Sequence, residues 1–342
     1  MALFAVLMCV NFASCSTEGE TPVNDEEVYT VKLGLGGEIL DITDEPLSRA
    51  TTNNLYGIQV YSIPNKELGK GENIEWTRYA YGLFDNPDEI SINLLKGYKY
   101  KFEATMVVDG KNKISNNHGN ANEYWIPFNT SGDNGGRGLL SNLFEYESST
   151  YFGGLGLGET MLSNGDYGKH PNTDRYYGEL IDFIPTDGKQ AQITMKRASF
   201  GASFVVINSL FKDGVLEIKM ANAPIMEINF SVGELDEFWT KDIFTFSDVA
   251  AVYKNDNHTE TISVTINWLR SDGAKIPLGT HDITYKRNRN TIVTVLIKNA
   301  GMDNALGFSI EATEQVGIDD MAEDGNTTIE DGEIVNTPVN PN

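Results

Sequence analysis

The chain has 342 residues, 40% of them apolar, enough for about two domains with real cores. Its 26 Lys and Arg stand against 49 Asp and Glu, a formal net charge of −23. That balance excludes a nucleic-acid partner, which needs clustered cations, and disfavours electrostatic docking on anionic lipid.

The only long apolar run is Ala2 to Ala13, the length of a signal-peptide h-region. No run reaches the 18 apolar residues of a membrane-spanning helix. Met1 is followed directly by Ala2, so a basic n-region is absent, as expected if the start is called late. Ala13-Ser14-Cys15 closes the run as a bacterial lipoprotein signal does, with Phe12 where Leu is usual. Residues 1–14 are therefore expected to be a signal peptide and Cys15 the lipidated residue. Removing residues 1–14 also removes Cys9, so the mature chain can form no internal disulfide, zinc cluster or catalytic thiol.

Residues 15–27 follow as an acidic tether, with five acids and no base before Lys32. From there the pattern is one of alternation with period 2. Tyr29–Leu35 reads as a strand, weakly continued over Ile39–Ile42. After the polar break Asp44–Arg49, strands are expected at Tyr56–Ile63, Tyr79–Phe84, Ile90–Leu94 and Lys99–Val108. The last ends at Asp109-Gly110, a hairpin signal. Residues 115–178 are rich in Gly, Asn and Tyr and read as a long loop region with short strands.

Alternation returns at Gln192–Arg197, Ala202–Ile207, Val215–Met220, Ile225–Val232, Thr261–Trp268, Thr291–Ile297 and Leu306–Ala312. Only Ser209–Phe211 and Leu235–Trp239 look helical. The expected fold is all-β, two tandem β-sandwich domains, residues 28–190 and 191–317, with the boundary near residue 190, after the turn Pro185-Thr186-Asp187-Gly188. An acidic, solvated tail is expected over residues 318–342.

No catalytic, metal or cofactor site emerges. The glycine runs Leu35–Gly37 and Gly153–Gly158 do not open a helix in a βαβ unit, and no Walker Lys follows. His118, His170, His258 and His281 are scattered in polar turns without metal-ligand spacing. There is no Gly-x-Ser-x-Gly elbow, and the carboxylates of the tail lack the spacing of a calcium loop. Trp125, Tyr151 and Tyr176 lie in the Gly-rich region, where loop aromatics either stack on sugar rings or pin the loop to the fold.

An acylatable Cys15, an acidic tether and two β blocks together resemble the fimbrillin superfamily of Bacteroidetes, the type V pilins and their accessory subunits. Three stretches carry the likeness: Pro46–Ala50, Ile193–Ala202 and Tyr285–Asn290. The resemblance implies a non-enzymatic, surface-exposed outer-membrane lipoprotein of a fimbria, working in assembly or adhesion, with other fimbrial subunits as partners. It implies cleavage by an Arg-specific protease after the first strand. The matching bond here is Arg49–Ala50, since Arg49 is the only Arg before Arg78. Residues 16–49 hold nine acids and two bases, so cleavage would move the charge from −23 to −16. The exposed groove would then accept a strand from a neighbour. The short apolar pieces of the tail, around Ile329 and Ile334-Val335, make weak donor strands, which favours a tip or accessory role. The alternative is a glycan-binding lipoprotein of a polysaccharide-uptake system, using Trp125, Tyr151 or Tyr176 as stacking platforms.

Overall fold

The computed structural model describes residues 27–39, 53–66, 75–114, 122, 124, 128, 138–146, 160–161, 167–207, 214–230, 237–298, 307–317, 328–330 and 333–335. Cys15, Arg49, Ala50, Trp125, Tyr151 and the Ser209–Phe211 segment lie outside these residues. The described chain is nearly all β-strand, as the alternating pattern requires.

The first half contributes β1 (Val28–Gly37), β2 (Leu55–Pro64), β3 (Thr77–Phe84), β4 (Ser91–Leu95), β5 (Tyr98–Val107), a one-turn helix α1 (Gly110–Lys113), β6 (Phe144–Tyr146), the two-residue pair β7 (Thr160–Met161) and β8 (Tyr167–Gly168), β9 (Arg175–Phe183) and β10 (Ala191–Arg197). Apart from β7 and β8, these strands run in one sheet of order β4-β1-β10-β9-β5-β2-β3-β6. β10 pairs with β1 through Ala191–Met195 and with β9 only through Lys196 and Arg197, so the sheet folds over at that strand. Residues from both limbs meet in one apolar cluster. Val31, Ile92, Leu94 and Ile193 come from one limb, and Ile58, Val60, Phe102 and Met106 from the other.

The second half holds β11 (Ser199–Ile207), β12 (Val215–Met220), β13 (Met226–Asn229), β14 (Glu237–Thr245), a short helix α2 (Val249–Lys254), β15 (Thr259–Leu269), β16 (Lys275–Lys286), β17 (Arg289–Lys298) and β18 (Gly307–Gly317). They form two four-stranded sheets, β14-β11-β17-β18 and β13-β12-β15-β16. Phe200, Phe204 and Phe244 of the first sheet share a core with Leu216, Ile218, Val264 and Tyr285 of the second. Phe200 is its aromatic hub, with ring centroids of Phe246 and Tyr285 at 4.7 and 4.6 Å. β19 (Thr328–Glu330) and β20 (Glu333–Val335) pair with each other, and among the described residues with no other strand.

Several expectations need correction. The cores divide at Ala198 and not at the Pro185–Gly188 turn, because Ala191, Ile193 and Met195 of β10 pack into the first cluster. That turn reverses the chain from β9 into β10 within one sheet, and a turn by itself does not mark a domain boundary. Of the expected helix Leu235–Trp239, the described residues Glu237–Trp239 are not helical: β14 starts at Glu237 and pairs with β11 along its whole length. The spacing of Leu235, Phe238 and Trp239 mimics a helix, but the β11 edge imposes a strand. Asp109-Gly110 does not form a hairpin. Asp109 takes a left-handed conformation, φ 53°, and starts α1. β5 pairs instead with β2 and β9.

Phe200→Ala removes a ring at 0% exposure from the middle of the second core. The expected loss is about 3–5 kcal/mol, read as a lowered midpoint in urea unfolding followed by circular dichroism.

Candidate functional site

β1 has the burial pattern of an inserted strand. Val31 and Leu33 are buried and Tyr29 and Leu35 pack partly against the same core, while Val28, Thr30 and Lys32 face outward. Burying Val31 and Leu33 contributes roughly 1.5–3 kcal/mol each, before ordering costs. The strand is interior to its sheet and is used in two halves. Val28–Lys32 pairs antiparallel with β4, Val28 opposite Leu95 and Lys32 opposite Ser91. Leu33–Gly37 pairs parallel with β10, Leu33 opposite Ala191 and Gly37 opposite Met195. β4 has no other strand partner among the described residues. A parallel neighbour far along the chain means that β1 is held by no local hairpin. Gly37 ends the strand at φ +83°, where a Cβ would lie 2.5 Å from the Met195 carbonyl oxygen.

Beyond Gly37 the chain makes a polar contact with the second half of the protein. Both η nitrogens of Arg287 donate to the Glu38 carboxylate at 2.8 Å, and the Arg197 N–H donates to the same group at 2.7 Å. Arg287 lies in the turn between β16 and β17, and its Nη1 also donates to the Arg197 carbonyl at 2.9 Å. Arg197 is held in turn by Asp174, through Nε at 2.9 Å and Nη2 at 2.6 Å. The side chains of Arg197 and Arg287 are 6% and 7% exposed, so each guanidinium depends on its carboxylate for compensation. Arg175, fully buried at the start of β9, is different. Its Nη1 donates to Thr105 Oγ1 at 3.1 Å, its Nε and Nη2 make no hydrogen bond among the described residues, and burial pushes the guanidinium down to about 9.

Burial pushes the Glu38 carboxyl up, but hydrogen bonds from Arg287 and the Arg197 N–H overcome this and hold it below the ordinary glutamate range. The same contact raises the Arg287 guanidinium. β1 is thus fixed at its start by β4, in its centre by two core side chains, and at its end by a bidentate ion pair.

Three sequence-derived sites, Cys15, the Arg49–Ala50 bond and the aromatics Trp125 and Tyr151, lie outside the described residues. The bond falls in the connection between β1 and β2, which leaves Gly37 and re-enters at Leu55. Tyr176 is not a loop aromatic. It lies in β9 at 2% exposure, with the Arg197 guanidinium 5.5 Å from its ring centre, so it offers no face to a sugar. Tyr176 and Tyr177 alternate across β9 into the first and second core clusters. His170 lies in the bend after β8 but is not solvated. It is buried against Phe200, with Nε2 at 3.3 Å from Glu260. The pairing of Glu38 with Arg287 leaves no signal in the sequence, because no local pattern relates residues 249 positions apart.

No family model matches the chain, and no curated protein matches it. Solved structures similar to it include the fimbrial anchor protein Mfa2 from Porphyromonas gingivalis, at 10% identity, TM-score 0.35, over 85% of this chain and 98% of that one. A candidate adhesin from Bacteroides ovatus is similar at 11% identity and TM-score 0.35, over 82% and 88%. A candidate polysaccharide-binding protein from Bacteroides thetaiotaomicron is similar at 9% identity and TM-score 0.34, over 83% and 98%. The structural neighbours are thus fimbrial and adhesion-type proteins at low sequence identity.

Glu38→Gln keeps the shape and removes the charge. Because the native pKa of Glu38 is depressed, its contribution is present in full above the unfolded-state value near 4.5 and is lost as pH falls through the native value. Urea unfolding of wild type and E38Q is expected to differ by about 1–3 kcal/mol at pH 7 and to converge toward pH 3.

Proposed function

We propose that this chain is a non-enzymatic, surface-exposed protein of fimbrillin type, carried to the outer membrane as a lipoprotein through Cys15, that then joins a fimbrial structure by strand exchange at β1. The observation that supports it is the position of β1. It is an interior strand with no local hairpin partner, its removal would leave β4 unpaired and Val31 and Leu33 missing from the core, and its connection to β2 contains Arg49. Cutting Arg49–Ala50 separates β1 from the fold covalently and leaves only non-covalent contacts to hold it. The vacated slot presents unpaired backbone groups on β4 and β10 and an apolar floor, which is what β-augmentation requires.

In this reading the protein is two tandem β-sandwich domains of transthyretin-like type, meeting at the Arg197–Ser199 junction, with residues 15–27 as tether and 318–342 as tail. The first domain receives a strand. The β19–β20 hairpin supports a tip or accessory role over that of a polymerising stalk subunit, because each of its strands is three residues long and pairs with the other.

Two variants test this. Cys15→Ser is expected to lose the protein from the outer-membrane fraction. Arg49→Ala is expected to leave it in that fraction and absent from sheared surface filaments, as read by fractionation and immunoblotting. Normal incorporation of R49A into filaments overturns strand exchange at β1, whatever the outcome for Cys15.

A further inference from the structure

If β1 leaves, more than an apolar slot opens. The Glu38 carboxylate goes with it, since it lies eleven residues before Arg49. Arg287 then keeps the Arg197 carbonyl at 2.9 Å and the Asp256 carbonyl at 3.4 Å, neither of them a charge. The Asp256 carboxylate stands 3.7 Å away, but it is 64% exposed and engaged by Lys196 at 2.7 Å. The Arg197 N–H, which donated to Glu38, loses its acceptor at the same moment. A nearly buried guanidinium and a backbone N–H are left converging on one empty position at the end of the slot. Leaving such donors unsatisfied costs more than the bonds themselves return.

We infer that the incoming strand is selected by a carboxylate at that position, and that Arg287 and the Arg197 N–H are its reading head. The inference rests on strand exchange at β1. The spacing follows from β1 itself. Val31 and Leu33 fill the core and Glu38 meets the clamp. A strand entering in the direction of β1 therefore carries apolar residues at its first and third positions and an acid at its eighth. The Glu38 carboxylate accepts from both η nitrogens of Arg287, a fork geometry that an amide cannot match. Apolar pockets accept many strands of similar shape, so the charge at the end is what discriminates.

The occupant is a strand of another chain that carries this pattern, and not residues 318–342 of a second copy. From Ile318 to Asn342 no apolar pair two apart is followed by an acid five residues later, so the tail of this chain does not fit its own slot. Ile329 is followed two places on by Asp331, and Ile334 by Asn336, both polar where the core needs an apolar side chain.

The test uses the full chain opened at Arg49–Ala50 by limited Arg-specific digestion. A fluorescent peptide with the sequence of residues 27–41 is offered in place of the resident strand, and its entry is read by anisotropy. A second peptide carries Glu38→Gln. The native-sequence peptide is expected to bind at least about tenfold more tightly than the E38Q peptide, and the gap is expected to close when the protein carries Arg287→Gln. Equal binding of the two peptides to the native protein overturns carboxylate selection and leaves strand exchange standing. That comparison changes nothing in the protein, so it holds even if R287Q does not fold. If neither peptide enters, strand exchange at β1 fails and the inference falls with it.

Discussion

The arrangement of the first half depends on one constraint, that a strand from the start of the chain completes a sheet whose other members come from much later. β1 pairs with β4 on one side and β10 on the other, and without it those strands have no shared neighbour. Parallel pairing with β10 means that no tight turn supplies β1, so it is held by strand pairing, core contacts and the Glu38–Arg287 pair at its end. Such a strand is thermodynamically integral and topologically separable. That combination is what allows a fold to be finished by a strand from elsewhere.

The polar end of β1 adds a second kind of information. The core side chains Val31 and Leu33 ask only for hydrophobic strands of suitable size. The Glu38–Arg287 pair asks for a charge at a fixed distance from them. Arg287 is positioned by the turn between β16 and β17, in the second half of the protein, so the fit of a strand in the first half is checked by the second. Arg197 and Asp174 stiffen the same junction, and Tyr176 and Tyr177 send adjacent side chains into the two cores.

Much of the fold is legible in the sequence wherever one strand face is buried and the other solvated. Thr261–Trp268 is such a strand, and Tyr56–Ile63, which alternates in sequence, is a strand buried on both faces as far as Val60; their ends lie within two residues of those expected. The reading fails where tertiary pairing overrides a local signal. Leu235–Trp239 has a helical spacing, yet the free edge of β11 recruits it from Glu237 onward. Ala191–Arg197 follows a strong turn and reads as the start of a new domain, yet its apolar face closes the first core. Tyr176 looks like a loop aromatic because the preceding text is Gly- and Asn-rich, and only pairing with β5 and β10 shows it to be buried. The candidate site divides in the same way. The first strand and Arg49 are visible as text, while the Glu38–Arg287 contact exists only after folding.

The most direct measurement is the intact mass and N-terminal residue of the mature protein recovered from the cell surface. A chain beginning at Ala50 is the expected result, since it shows that β1 and the lipidated Cys15 have been removed together. A chain beginning at acylated Cys15, with β1 still attached in surface filaments, would contradict strand exchange at this site.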